Sequence, residues 1–491
     1  MKNKNIFQSL FSLFLPKEGR PMRTNRYFFY SCLFIVLLFF GMIGYLIRFM
    51  VVDSERVIAN PYNKRTENLK EQIIRGRILS ADGLTLAETK REDGEERRVY
   101  PYGRVFAHVV GYADHGQSGL ESVFNYALLT SHIDLTTQLT NSINQRKNPG
   151  DDLVTTLDPD LQEAAYDALD DYRGAVVAIE PATGKIRAMV SKPDYDPNTL
   201  GDIWEDIIND ETSSVLLNRN TQGLYPPGST YKCITALEYI REHLHSYHDF
   251  HYKCKGETIV NNVKIHCYKE AEHGKETLDE AFAHSCNTAF VTLGCDLDRK
   301  QLIDLNEVLL FNKRISSDLS VTKSRFKITE ESEASELPQT VIGQGNTLMS
   351  PLHNALVMCC IANNGVMMRP MLAEKIQAGD GVTVREFKPR ELVSLEDREA
   401  ISALNKMLRK TVTEGTATEL QSDHYTAAGK TGTAENEKKS PHAWFVGYVG
   451  EKKPELVVCV IAENTGAGST YAVPIARRVF DAWYEGKHNE E

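Results

Sequence analysis

This chain has no internal repeat and no low-complexity stretch, which leaves ordinary folded domains. No long basic run follows its N-terminal region, and its formal net charge is −11. That balance excludes a general nucleic-acid binder. Its Cys and His residues show no spacing that resembles a zinc site, and neither a metal nor an organic cofactor is implied. Beyond the N-terminus there is no second apolar run long enough to cross a membrane.

What is present is ample core material, with 42% hydrophobic residues over 491 positions. That length suits about three domains of ~150 residues, or one large domain with a smaller companion. One apolar, uncharged run covers residues 27–47, preceded by Lys2, Lys4, Lys17, Arg20, Arg23 and Arg26. About 20 apolar residues cross a bilayer as a helix. The cationic flank predicts a cytoplasmic N-terminus (residues 1–26), with everything after Arg48 outside. A cleaved signal peptide has a shorter apolar core and an Ala-x-Ala-like site, and neither is found here. The run reads as an uncleaved single-pass anchor.

Of nine cysteines, Cys32 falls in this run. Cys254 and Cys267 flank a loop-like stretch with Gly256 and Asn261-Asn262. They suit either a local disulfide outside the cytosol or two buried thiols, and the sequence leaves both open.

Apolar runs at 175–179 and 186–190, joined by Pro181-Ala182-Thr183-Gly184, predict a β-hairpin. Residues 444–449 and 456–461 predict two more strands. A helix is expected to start near Ser229, after Pro226-Pro227-Gly228, with Cys233, Leu237 and Ile240 on its apolar face. Another is expected with Ser350 as N-cap and Pro351 first, ending at Asn363-Asn364-Gly365. Residues 473–484 suit a terminal helix. Helices packed on an antiparallel sheet follow, an α+β architecture.

Three short motifs occur in one order: Ser229-Thr230-Tyr231-Lys232, Ser285-Cys286-Asn287 and Lys430-Thr431-Gly432. Each is weak alone. Ser-x-x-Lys recurs from Ser320 and from Ser324, and Ser142-Ile143-Asn144 is a second Ser-x-Asn, whereas Lys-Thr-Gly occurs once. Only one combination sets Ser-x-x-Lys at a plausible helix start with the other two motifs following. A serine hydroxyl is a poor nucleophile without an adjacent base, and Lys232 lies three residues on, on the same helix face.

That ordered set resembles the signature of penicillin-interacting serine acyltransferases, and the chain resembles a class B, monofunctional penicillin-binding protein. The likeness extends to Arg75-Gly76-Arg77-Ile78 with Asp82-Gly83, Tyr100-Pro101-Tyr102-Gly103, Gly119-Leu120-Glu121, Thr155-Thr156-Leu157-Asp158, Gly343-Gln344-Gly345 and Ala443-Trp444-Phe445-Val446-Gly447-Tyr448. It implies a small, mostly β pedestal or dimerisation-type module at 48–154 and a transpeptidase domain at 155–491. The small module is too short for the glycosyltransferase domain of bifunctional relatives.

By this resemblance Ser229 is the nucleophile and Lys232 its base. Desolvation and a nearby cation both depress a lysine pKa, and Lys430 is the candidate cation. Ser285 relays a proton to the leaving amine, and Asn287 supports lysine and substrate. Lys430, Thr431 and Thr433 receive a terminal carboxylate on an edge strand. Gly432 lets the substrate backbone approach, and the backbone N–H groups of Ser229 and Thr433 form an oxyanion hole. Expected partners are peptidoglycan stem peptides, β-lactams, the membrane and a polytopic membrane glycosyltransferase. Rival readings are a membrane-anchored β-lactam sensor, a β-lactamase and an inactive scaffold for a glycosyltransferase. A sensor needs further spans, a lactamase needs no small module, and intact motifs argue against a scaffold.

Overall fold

The computed structural model describes residues 23–49 and 69–489, apart from 93, 211, 437, 438, 451 and 452. The rest of the expected basic tail and the segment after Met50 lie outside the described residues. The chain divides into two units, residues 1–63 and 64–491.

In the first unit, helix α1 (Arg23–Arg48) contains the apolar run. At 1.5 Å per residue its 26 residues span about 39 Å, more than the ~30 Å hydrocarbon core of a bilayer. Within it, Arg26–Arg48 keeps its apolar side chains unburied, as a helix surrounded by lipid does.

The second unit holds two main sheets. The smaller module contributes β1 (Ile78–Leu79), β2 (Thr85–Glu92), β3 (Glu95–Val99) and β4 (Asp152–Thr155). Two strands from far along the chain, β11 (Ala373–Gln377) and β12 (Thr383–Glu386), complete a six-stranded sheet in the order β12-β11-β4-β1-β2-β3. The Arg75-Gly76-Arg77 segment is the knot of this module. A side chain at Gly76 would sit 1.9 Å from the Asp151 carbonyl oxygen, so only glycine fits there. Arg77 pairs with Asp152 at 2.6 Å, and Arg75 and Arg98 both pair with Glu121, at 2.6 and 2.7 Å. Burial pushes the Glu121 carboxyl up, but the two guanidiniums outweigh it and hold the group below its ordinary value. Removing one member of such a buried set leaves uncompensated charge, a loss on the order of 3–5 kcal/mol.

The larger sheet is built from β5 (Gly174–Ile179), β6 (Ile186–Lys192), β13 (Ala427–Ala434), β14 (His442–Val449) and β15 (Leu456–Ala462), in the order β13-β14-β15-β5-β6. Every pairing is antiparallel, so the expected hairpin and strands form. Both faces are covered, which is why these strands read as continuous apolar runs. Val177, Ile179, Val457, Cys459 and Ile461 face one core, with helices α3 (Lys232–Glu242), α6 (Pro351–Ala362) and α7 (Arg398–Thr413). Val176, Ala178, Val458 and Val460 face the other, with α2 (Pro159–Leu169) and α8 (Gly468–Asn489). The arrangement is α+β, as expected.

Helix α6 starts on the Ser350 cap, whose hydroxyl accepts from the His353 N–H, and all twelve of its residues are buried. The terminal helix begins five residues earlier than the apolar pattern implied and runs through Pro474.

Candidate active site

Between Cys254 and Cys267 the loop-like stretch is a β-hairpin. Strands β8 (Glu257–Val260) and β9 (Val263–His266) pair across Asn261 and Asn262, both at positive φ. Two successive asparagines in that region make the primed turn whose twist suits a two-residue hairpin. Beside it, β7 (His251–Cys254) pairs with β10 (Gly274–Thr277). From β10 the chain passes through α4 (Leu278–Ala283), capped reciprocally by Thr277 and Glu280, to the Ser285-Cys286-Asn287 turn. Helix α5 (Asn287–Asp296) begins there.

The first motif differs from its expected form. Ser229 lies on a 3₁₀ turn, Gly228–Tyr231, and the α-helix starts at Lys232. In a 3₁₀ turn side chains three apart eclipse one another, so Ser229 and Lys232 still share a side. The turn is held at several points. The Gly228 N–H donates to Gly343 O at 2.8 Å, the Thr230 hydroxyl to Pro227 O at 2.9 Å and the Trp444 indole N–H to Pro226 O at 3.0 Å. Asn354, on the buried helix α6, donates to Thr230 Oγ1 at 3.0 Å.

One cleft gathers Ser229, Ser285, Asn287, Thr431 and Thr433. Gln344, of the Gly343-Gln344-Gly345 segment, lines it too, as do Thr416, Ser469, His273 and Glu435, which were not singled out from the sequence. Thr416 had a signal only in space: its hydroxyl is 2.6 Å from that of Thr431. The extra copies of the motifs at Ser142, Ser320 and Ser324 do not line this cleft.

Lys232 is completely buried and joins the first two motifs. Its ammonium donates to Ser285 O at 2.7 Å and to Asn287 Oδ1 at 2.8 Å, with Ser285 Oγ at 3.3 Å. Ser285 adopts φ 60°, a left-handed conformation costly for a non-glycine residue and frequent at functional sites. Burial lowers the Lys232 pKa to about 8, against weak opposition from the Cys286, Cys267 and Glu276 side chains.

Strand β13 is the sheet edge, as the third motif required, but Lys430 does not reach the cleft. It is fully buried, with its ammonium 3.2 Å from Thr431 O and over the Phe282 ring. Burial, and then the Lys232 charge, hold Lys430 well below the usual lysine range. Lys232 is lowered chiefly by burial, and repulsion between the two ammoniums disfavours holding both of them charged. Thr431 and Thr433 line the cleft. Gly432 has a packing reason for its missing side chain. A Cβ there would meet Trp444 Cβ at 2.9 Å and Pro227 O at 3.1 Å, so glycine lets the strand lie against the Ser229 turn.

The Cys254–Cys267 disulfide is not formed. The sulfurs are 3.7 Å apart and both are free thiols. They belong instead to a group with His273 and Cys286 whose ligating atoms all lie within 4.8 Å of one another. The expectation of no metal-binding cluster did not anticipate it.

The chain matches two family descriptions, the penicillin binding protein transpeptidase domain over residues 174–481 and the penicillin binding protein A dimerisation domain over 75–153. It is 32% identical to the peptidoglycan D,D-transpeptidase PbpA of Mycolicibacterium smegmatis, over 88% of this chain and 93% of that one. The imipenem acyl-enzyme complex of penicillin-binding protein A from M. tuberculosis aligns with TM-score 0.78 and 29% identity, over 85% of this chain and 99% of that one. A D,D-transpeptidase domain from Eggerthella lenta aligns with TM-score 0.77 and 29% identity, over 84% and 98%. The chain belongs to the penicillin-binding transpeptidase family. Within that family it is a class B member, a serine enzyme of acyl transfer.

Proposed function

We propose that the chain cross-links peptidoglycan as a D,D-transpeptidase acting through Ser229. Ser229 Oγ attacks the D-Ala-D-Ala carbonyl of a stem peptide, forming a C–O bond. The C–N bond breaks and the terminal D-Ala leaves. The proton from Ser229 passes to neutral Lys232 and through the Ser285 hydroxyl to the departing amine. An amine of a neighbouring stem then attacks the ester, forms the cross-link and restores Ser229. β-Lactams enter as donor mimics and stop at the ester. The observation that carries this reading is the Lys232 ammonium, bonded to both Ser285 and Asn287 in the cleft that Ser229 lines. The Thr431 and Thr433 hydroxyls suit the donor carboxylate. The Ser229 and Thr433 backbone N–H groups are the proposed oxyanion donors. Labelling with a fluorescent penicillin tests the reading.

Among the described residues one helix is long and apolar enough to cross a bilayer, which supports a one-pass anchor, and the basic residues before it favour a cytoplasmic N-terminus. Protease added outside intact cells should then digest the chain beyond Arg48. Protection of that region would reverse the orientation.

For a partner, the class B resemblance favours a polytopic membrane glycosyltransferase. The module also carries an apolar row that no described residue covers. On the helix Leu135–Ile143, Leu135, Leu139 and Ile143 are 74%, 64% and 81% exposed at a spacing of four. Leu139→Asp with Ile143→Asp should abolish co-purification of such a glycosyltransferase while penicillin labelling persists. Unchanged co-purification would place the contact elsewhere.

A further inference from the structure

Cys254, Cys267, His273 and Cys286 come from four places in the chain: the end of β7, the residue after β9, the residue before β10 and the N-cap of α5. The three cysteines are buried and His273 is half-buried. Sγ of Cys254 lies 3.7 Å from that of Cys267, and Sγ of Cys267 lies 3.8 Å from that of Cys286. Nδ1 of His273 is 3.4 Å from Sγ of Cys254. A tetrahedral zinc ion, with Zn–S of ~2.3 Å and Zn–N of ~2.0–2.1 Å, has S···S edges of about 3.8 Å and S···N edges of about 3.5 Å. These three separations match those edges, and the other three lie within 4.8 Å. A disulfide, at ~2.05 Å, is far from them.

The surroundings suit a thiolate set. The Gly256 N–H points at Cys254 Sγ from 3.4 Å, and the Thr288 hydroxyl donates to the same sulfur at 3.2 Å. Donors to ligating sulfur of this kind orient the ligand and spread its charge. Cys286 also sits at a helix N-terminus, where negative charge is favoured.

We propose that Cys254, Cys267, His273 and Cys286 bind one Zn²⁺ as a closed, four-ligand structural site. On binding, the three thiols release their protons to solvent and no electrons move. The consequence reaches the active site through Cys286. Its two neighbours, Ser285 and Asn287, hold the Lys232 ammonium, and Asn287 Nδ2 donates to His266 O, beside Cys267. The ion therefore ties the β8–β9 hairpin to the start of α5 and fixes the turn that presents Ser285.

The test is metal content of the full chain, purified in detergent from zinc-supplemented medium and equilibrated with a competing chelator too weak to strip a four-ligand site. One zinc per folded chain is expected, falling at least tenfold in Cys254→Ser. His273→Ala, at the half-buried ligand, should lose zinc likewise and serves where Cys254→Ser does not fold. Wild type stripped by a strong chelator and refilled with Co²⁺ should show the visible bands of a tetrahedral ion and sulfur-to-metal charge transfer. Its melting temperature should fall on stripping and recover with Zn²⁺. Absence of stoichiometric zinc in folded wild type overturns the proposal. So does a Cys254–Cys267 disulfide in that protein, or full zinc retention by Cys254→Ser.

Discussion

Ser229→Ala should fold normally and gain no penicillin adduct. Wild type treated with penicillin should increase in mass by one adduct, and peptide mapping should place it on the Ser229 peptide. Loss of a serine nucleophile costs roughly a million-fold in rate where the triad acts as a unit, so labelling of the variant should fall below detection. The structure explains why folding is spared. The bonds that hold the turn run from Gly228, Thr230 and Trp444, and none uses the Ser229 hydroxyl. Circular dichroism and the melting temperature of the variant should therefore match wild type. A folded Ser229→Ala protein that still labels would end the assignment. An adduct on the peptides of Ser285, Ser320 or Ser324 in wild type would do the same.

The motifs were legible because their chemistry is local in sequence. Ser229 and Lys232 are three apart, and any helical turn sets them side by side. The hairpin at 174–192 and the strands around Trp444 and Val458 were legible for another reason: sheet residues buried on both faces are apolar without alternation. The sequence could not reveal what depends on distant contacts. β11 and β12 complete a sheet begun some three hundred residues earlier, and nothing in residues 373–386 names β4 as the neighbour of β11. Lys430 was expected to face a ligand. Its burial follows from the pairing of β13 with β14 and from Phe282, which approaches from α4.

The cysteine group shows the same limit more sharply. The spacing from Cys254 to Cys267, His273 and Cys286 has no Cys-x₂-Cys unit, so no compact finger pattern is visible. Cys254 and Cys267 are brought together by the Asn261-Asn262 turn, a signal present in the sequence. His273 joins because β10 pairs with β7, and Cys286 because α5, which it caps, packs on β7, β8 and β9. Two cysteines around a turn left a disulfide and two buried thiols equally open. The third and fourth members favour the thiols.

Lys232→Met should cut acylation by more than the ~10²–10⁴ of general acid–base catalysis alone, since the bonds to Ser285 and Asn287 go with the ammonium. The pH dependence separates a base from a structural cation. A base must be neutral. With a pKa of about 8, Lys232 is neutral in roughly one molecule in ten at pH 7, against about one in three thousand for an unshifted lysine. The acylation rate should therefore rise about tenfold per pH unit below 8 and level off above it. Stability follows the same titration. Burying the charged form opposes folding below pH 8, by about 3 kcal/mol, and this penalty fades as pH rises toward the ordinary lysine value. Hydrogen bonds to Ser285 O and Asn287 Oδ1 make that burial tolerable, which is why the lysine can remain both dry and titratable. The measurement is the penicillin acylation rate per folded molecule from acid to alkaline pH, in wild type and in Lys232→Met. A folded variant reacting at the wild-type rate would remove Lys232 as the base. A wild-type profile flat between pH 6 and pH 9 would do so even if the variant were slow, because a lysine that stays charged can position Ser229 but cannot take its proton.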